Sequence, residues 1–188
     1  MFTFIKENSY IIVKMMLNQF GTAVFGLMLA LATSSNETLL LVTGLFSVIF
    51  YLFLLHTIMW EEGAKRKIKA DAGRATYKPL TGLYMSLCSN IPNIILAVLI
   101  LVGYIFGHHD GAFQMEWAGN IYTVSATIAR LWEAMYLGLI QLFSPYNPLA
   151  FVLIILPALF TCTASYYLGL KEFQLKNLFK LNEPSKKK

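Results

Sequence analysis

The chain has 188 residues, 57% hydrophobic and only 13% charged, with a net charge of +5. Soluble domains run at about 45–50% apolar and about 25% charged, so this composition excludes an ordinary soluble globular protein and leaves an integral membrane protein. The positive charge does not mark a nucleic-acid binder. The Lys and Arg residues are dispersed through short segments between apolar runs, a placement that suits lipid head groups.

About 20 helical residues cross a hydrocarbon core of about 30 Å. The first run of that length is residues 11–32, "IIVKMMLNQFGTAVFGLMLALA". Lys6 and Lys14 lie before and at its start, and it ends "ALA", the outline of a signal peptide. Asn18 and Gln19 interrupt the apolar run and the charged region is long, so the segment is read as a retained span. Asn18, Thr22, Gly26 and Ala30 recur every four residues and so share one helix face. The second span, residues 38–60, follows the short link "TSSNE" and carries His56 one turn from its end. The loop after it supplies Lys65, Arg66, Lys67, Lys69, Arg74 and Lys78 for contact with an anionic inner leaflet. Its glycines and lysines match neither a P-loop nor a dinucleotide fingerprint.

A third span, residues 80–106, is interrupted by "SNIPN", two amides around a proline. Leu80, Leu83, Tyr84, Leu87, Ile91, Ile94, Ile95 and Val98 keep helical phase across that string. The phase predicts one helix kinked at Pro92, with the carbonyl of Cys88 freed. The other reading ends a short interfacial helix at Ser89 or Asn90, as the cap of the true span. Gly82, Ser86, Asn90, Asn93 and Ala97 form the opposite, small and polar stripe. "GHHDG", residues 107–111, is the most metal-like string, but adjacent histidines rarely ligate one ion and a catalytic zinc needs three spaced ligands. It reads as a solvated turn, and no metal or cofactor is expected. Cys88 and Cys162 lie in apolar runs and behave as small hydrophobes.

Residues 121–143 are long enough to cross, yet Arg130 and Glu133 sit near the centre, which is costly in lipid. Charge placement decides the count. After a fourth span, residues 149–170, the tail carries Lys171, Lys176 and Lys180. Four spans put every Lys and Arg except Arg130 on one side, whereas five would put the tail outside, against the positive-inside rule. Residues 121–143 then form an outer interfacial helix. Ile121, Val124, Ile128, Leu131, Met135, Leu139 and Leu142 face lipid, and Trp117, Trp132 and Tyr136 lie at head-group depth. Packing on the outer rim of the bundle is the competing position. The fourth span holds a second kink, at Pro157, and the spaced set Thr161, Ser165 and Gly169.

The expectation is therefore an all-α, four-span bundle forming a single membrane domain over residues 1–188. Both termini are cytoplasmic, in a plasma membrane of bacterial type. The Thr22–Gly26–Ala30 and Thr161–Ser165–Gly169 stripes suit helix packing, since small residues let backbones approach. The sharper alternative is a cytoplasm-facing polar cavity lined by Asn18, His56, Asn90 and Asn93, to which no carboxylate is assigned. No Ser-His-Asp set, H-E-x-x-H or G-x-S-x-G string occurs, nor an inverted repeat. These features point to a non-enzymatic accessory subunit or assembly factor. Its expected partners are the anionic inner leaflet and a membrane-protein subunit, with no nucleic acid. A small-solute transporter or substrate-binding membrane subunit is the alternative.

Overall fold

The computed structural model describes residues 2–74, 76, 78–109, 112–113, 115–143 and 147–171. The expected tail contacts at Lys176 and Lys180 lie outside the described residues. Helix α1 spans Phe2–Thr33 and α2 spans Glu37–Asp71. Between them Asn36 caps α2, its side-chain oxygen accepting from the Leu39 amide at 3.1 Å, with Glu37 in the first turn. That is the sequence of groups that satisfies orphan amides and complements the helix dipole. Both helices overrun the expected spans. At about 1.5 Å per residue, the 35 residues of α2 reach about 52 Å, well beyond a hydrocarbon core of about 30 Å. The surplus is the charged segment after Trp60, held helical by Glu61–Lys65 and Glu62–Arg66 pairs at i, i+4.

The antiparallel pair defines two ends. The turn end holds Ser34–Asn36; the basic end holds Lys14, Glu61, Lys65 and Arg66. Helix α3, Thr81–Ser89, and α4, Ile91–Gly107, meet at Asn90 with a bend of 60°. A two-residue ladder, β1 (His108–His109) with β2 (Ala112–Phe113), follows. Then come α5 (Glu116–Trp132), a 3-10 turn (Ala134–Tyr136), α6 (Leu137–Phe143), α7 (Ala150–Leu153) and α8 (Ile155–Leu170). Three helices are long and apolar enough to cross a membrane, Phe4–Thr33, Glu37–Asp71 and Ala150–Leu170, and the bent α3–α4 pair makes a fourth if it is one span. The chain is a multi-pass helical membrane protein. Phe20, Met28 and Phe160 are exposed on its flanks while Met15, Tyr51, Leu55, Met85, Cys162 and Tyr166 fill the interior. Apolar side chains on both faces are what a lipid solvent requires.

Two expectations are refined here. The bend falls at a helix break, at Asn90, and Pro92 stands two residues on, in the first turn of α4. Helical phase survives the break because Asn90 keeps near-helical torsions, φ −91 and ψ 7. In a first turn the missing amide hydrogen of proline would have had no intrahelical partner anyway. Pro92→Ala is therefore expected to shift stability by no more than about 0.5 kcal/mol in thermal unfolding. A loss several times larger would show that the ring itself sets the bend. Pro157 sits likewise in the first turn of α8, where Ile154 separates α7 from α8 but keeps right-handed torsions, so Ala150–Leu170 still counts as one span.

The second change is the segment 121–143. It is not one continuous helix. Ala118, Ser125, Ala126 and Ala129 bury against the bundle, and the closest contact is with α4, where a Cβ on Gly103 would lie 2.7 Å from the Tyr122 amide nitrogen. The helix stops at Glu133, and the 3-10 turn then packs under α1, where Gly26 meets the backbone of Ala134 and Met135. From there α6 passes α2, with Gly138 against Leu40 and Gly44. Val124, Ile128 and Leu131 remain on the exposed face as expected, but Met135 and Tyr136 are buried.

Candidate functional site

The polar residues of the bend close on one another. Gln19 Nε2 donates to Asn93 Oδ1 at 2.9 Å, Asn93 Nδ2 donates to Asn90 Oδ1 at 2.8 Å, and Asn90 Nδ2 donates to the Ser86 carbonyl at 2.9 Å. All four residues are buried. The chain of bonds ties α1 to both sides of the α3–α4 break, and satisfies amides that would be costly left unpaired in an apolar interior. The carbonyl expected to be exposed by the proline is not what the amides gather round.

Of the four residues expected to line a cavity, the structure brings together Asn90 and Asn93 alone. Asn18 lies beside the chain of bonds, and its place is taken by Gln19; the Asn18 amide nitrogen is buried without a partner. His56 is on α2 and pairs elsewhere, its Nδ1 2.7 Å from Ser165 Oγ on α8. Cavities lined by described residues lie elsewhere. A groove of about 590 Å³ runs between Phe4, Tyr84, Leu87, Cys88, Ile91 and Ile94, and a second, of about 340 Å³, lies between α2, α6 and α8. Neither is lined by Asn18, His56, Asn90 or Asn93.

The small-residue stripes lie at close approaches. Thr22, Gly26 and Ala30 are buried along α1. On α8, Ser165 and Gly169 are buried and Thr161 is half-buried. A Cβ on Gly169 would overlap the Trp60 carbonyl and lie 3.0 Å from the Ala64 nitrogen; one on Gly63 would overlap the Tyr166 carbonyl. Helices α2 and α8 thus meet backbone to backbone below the His56–Ser165 bond.

At the basic end, Arg66 donates to Glu62 Oε1 at 2.8 Å and to Asn8 Oδ1, which links α2 to α1. Lys65 and Lys14 both reach Glu61, at 2.7 and 3.9 Å. Lys69 lies in the last turn of α2, where a cation complements the helix dipole, and Lys67 follows Arg66 on the same helix. Arg74 and Lys78 are exposed, and the Lys78 carbonyl accepts from the Thr81 hydroxyl at 2.8 Å. Lys171 stands 4.6 Å over the Tyr167 ring. Among the described residues no group of three His, Cys, Asp or Glu side chains is placed to share a metal ion.

Glu133, expected on the outer interfacial helix, is 4% exposed and lies inside the bundle where α5 ends. Tyr136 follows it three residues on and is equally buried, with its hydroxyl lacking a hydrogen-bond partner. Tyr51 of α2 lies beside Tyr136, the two rings edge-on at 6.3 Å. One signal was available: Ala118, Ser125, Ala126 and Ala129 form a small-residue stripe at helical spacing, the mark of a helix that packs.

Compared with protein-family models, curated proteins and solved structures, the chain matches none.

Proposed function

We propose that this chain is a non-enzymatic accessory subunit or assembly factor of a membrane complex, built as a four-span bundle in a plasma membrane of bacterial type. The observation that carries this reading is the closed Gln19–Asn93–Asn90–Ser86 chain of hydrogen bonds. Amides that a solute would need as ligands are spent on holding helices together, and the neighbouring helices touch through glycine backbones. Such an interior is a scaffold, and the work falls to its outer surfaces: the lipid-facing flanks and the basic end. The α3–α4 pair is read as one bent span, which puts both termini and the basic end in the cytoplasm beside anionic lipid, under the positive-inside rule. A membrane-protein partner subunit is the expected contact.

Two measurements test the reading. Excised into native nanodiscs without detergent, the chain should run with a partner at constant stoichiometry; a chain that always runs alone would end the subunit reading. Engineered thiols at Lys67 and at Ser185 should be labelled by an impermeant maleimide from the cytoplasmic side only. Labelling at 185 from outside would establish a different span count and reverse the tail.

A second reading has one observation in its favour. Glu133 is a carboxyl inside the bundle at a helix break, and an ionisable group at such a place marks a solute or proton site by default. On that reading the chain is a substrate-binding membrane subunit, with its site on the Glu133 side of the bundle and not at the asparagines.

A further inference from the structure

Contacts with α1 and α2 set how deep the segment 116–143 lies. Ser34, in the turn that joins those two helices, marks one end of the bundle, and depth from it runs at about 1.5 Å per helical residue. Trp132, the last residue of α5, has its ring 6.1 Å from that of Phe20, which lies about 21 Å in from Ser34. The 3-10 turn that follows meets Gly26, about 12 Å in, where an added Cβ would lie 2.9 Å from the Ala134 carbonyl oxygen. Gly138 of α6 then lies against the start of α2. A Cβ on it would come 2.8 Å from the Leu40 carbonyl oxygen, and Leu40 is only about 6 Å from Asn36. Beyond Trp132 the chain therefore heads back toward the turn end.

The first half of the segment comes from that end too. Helix α3 starts beside the N-terminus of α1, with the Tyr84 ring 6.1 Å from Phe4, and α4 begins where Asn93 meets Gln19. A bend of 60° is far short of a reversal, so α4 continues toward the α1–α2 turn, and its 17 residues cover about 25 Å. Helix α5 returns along it. The Phe106 ring stands 6.4 Å from Trp117, and Gly103 fits against Ala118 and Tyr122. The seven residues of α6 reach about 10 Å, too short to cross a core of about 30 Å. Irregular backbone at membrane depth must be sheltered by protein. Ala134, Met135 and Tyr136 are buried, the Glu133 amide donates to the Ala129 carbonyl at 2.8 Å, and the Tyr136 amide donates to the Glu133 carbonyl at 2.9 Å. Gly26, Gly44 and Gly138 let the three backbones close on one another.

We infer that residues 116–143 form a re-entrant hairpin, which enters the membrane on the face of the α1–α2 turn, reverses at Glu133–Tyr136 inside the bundle and leaves by the same face. It adds no crossing. It rests on α1, α2 and α8 spanning the membrane, and on neither the subunit reading nor the choice of cytoplasmic face.

The test places single cysteines at exposed positions of the full chain, where they disturb no packing core. Ser35 and Lys69 mark the two faces, and Glu116 and Asn147 mark the two ends of the hairpin. Both native cysteines are buried and give the labelling background. In membranes of expressing cells, an impermeant maleimide should label positions 116 and 147 at least tenfold faster from the face that labels 35 than from the face that labels 69. Spin labels at Trp117, Val124, Ile128 and Leu131, the exposed stripe of α5, then report depth in nanodiscs. The label at 131 should lie at least about 10 Å deeper than the one at 117, with 124 and 128 between, since the two ends are about 21 Å apart along the helix. Labelling of 116 and 147 from opposite faces would make the segment a crossing helix, and four labels at one shallow depth would make it a surface helix. Either result overturns the proposal, and neither depends on whether a partner subunit is found.

Discussion

Replacing Gly169 by alanine is expected to destabilise the bundle by about 3 kcal/mol, the upper range for overpacking. The added methyl would overlap the Trp60 carbonyl and press on the Ala64 nitrogen. Both are backbone atoms of α2, so no rotamer change makes room and the two helices must separate. Separation also strains the His56–Ser165 bond one turn away. Gly63, facing Tyr166 and Gly169 from the other helix, should behave the same way. Because the two glycines share one contact, Gly63→Ala with Gly169→Ala should cost less than the sum of the single changes. Gly21 is the control. A methyl there meets nothing within 4 Å, and alanine should stabilise by about 0.5–1 kcal/mol through helix propensity alone. Chemical unfolding in mild detergent, followed by circular dichroism, reads all four variants. A Gly169→Ala protein as stable as the wild type would mean that α2 and α8 are not in backbone contact.

Apolar run length made the long helices legible, because crossing hydrocarbon sets a minimum that composition must meet. It did not set their ends. Helix α1 starts at Phe2 and α2 continues to Asp71, since lysine and glutamate are good helix formers and need no membrane to stay helical. At the bend, continuous phase argued for one helix, yet Asn90 breaks the helix while barely disturbing the phase. Spacing from Thr22 and Gly26 singles out Asn18, but the neighbouring Gln19, about 100° round the helix, is the residue that reaches Asn93. Only the rotation of α1 against α4 decides between them, and spacing within one helix carries no information on that. Glu133 exposes a different gap. A charge in an apolar run argues equally for the surface and for a buried functional position. The small residues of α5 pointed the other way, and packing followed them.

Asn93→Leu is the other change expected to have a large effect. Asn93 both donates to Asn90 and accepts from Gln19, so leucine breaks two bonds and leaves Gln19 Nε2 and Asn90 Oδ1 without partners in a buried place. An interhelical hydrogen bond in a membrane averages only about 0.6 kcal/mol when lost. Orphaned buried groups cost more, about 1–3 kcal/mol each, so the substitution should cost about 2–3 kcal/mol after partial relaxation. The same logic predicts a rescue. Gln19→Leu added to Asn93→Leu removes one orphan and lets apolar side chains meet, so the double variant should lie at least about 1 kcal/mol above the sum of the two losses. Asn90→Leu should be milder than Asn93→Leu, since it orphans Asn93 Nδ2 alone while the Ser86 carbonyl still accepts from the Asn90 backbone amide and the Ser89 hydroxyl. Unfolding of the four variants under one set of detergent conditions gives the comparison. If Asn93→Leu costs no more than about 0.6 kcal/mol, water is already serving these amides, and a hydrated site at the bend becomes the better account of why they are there.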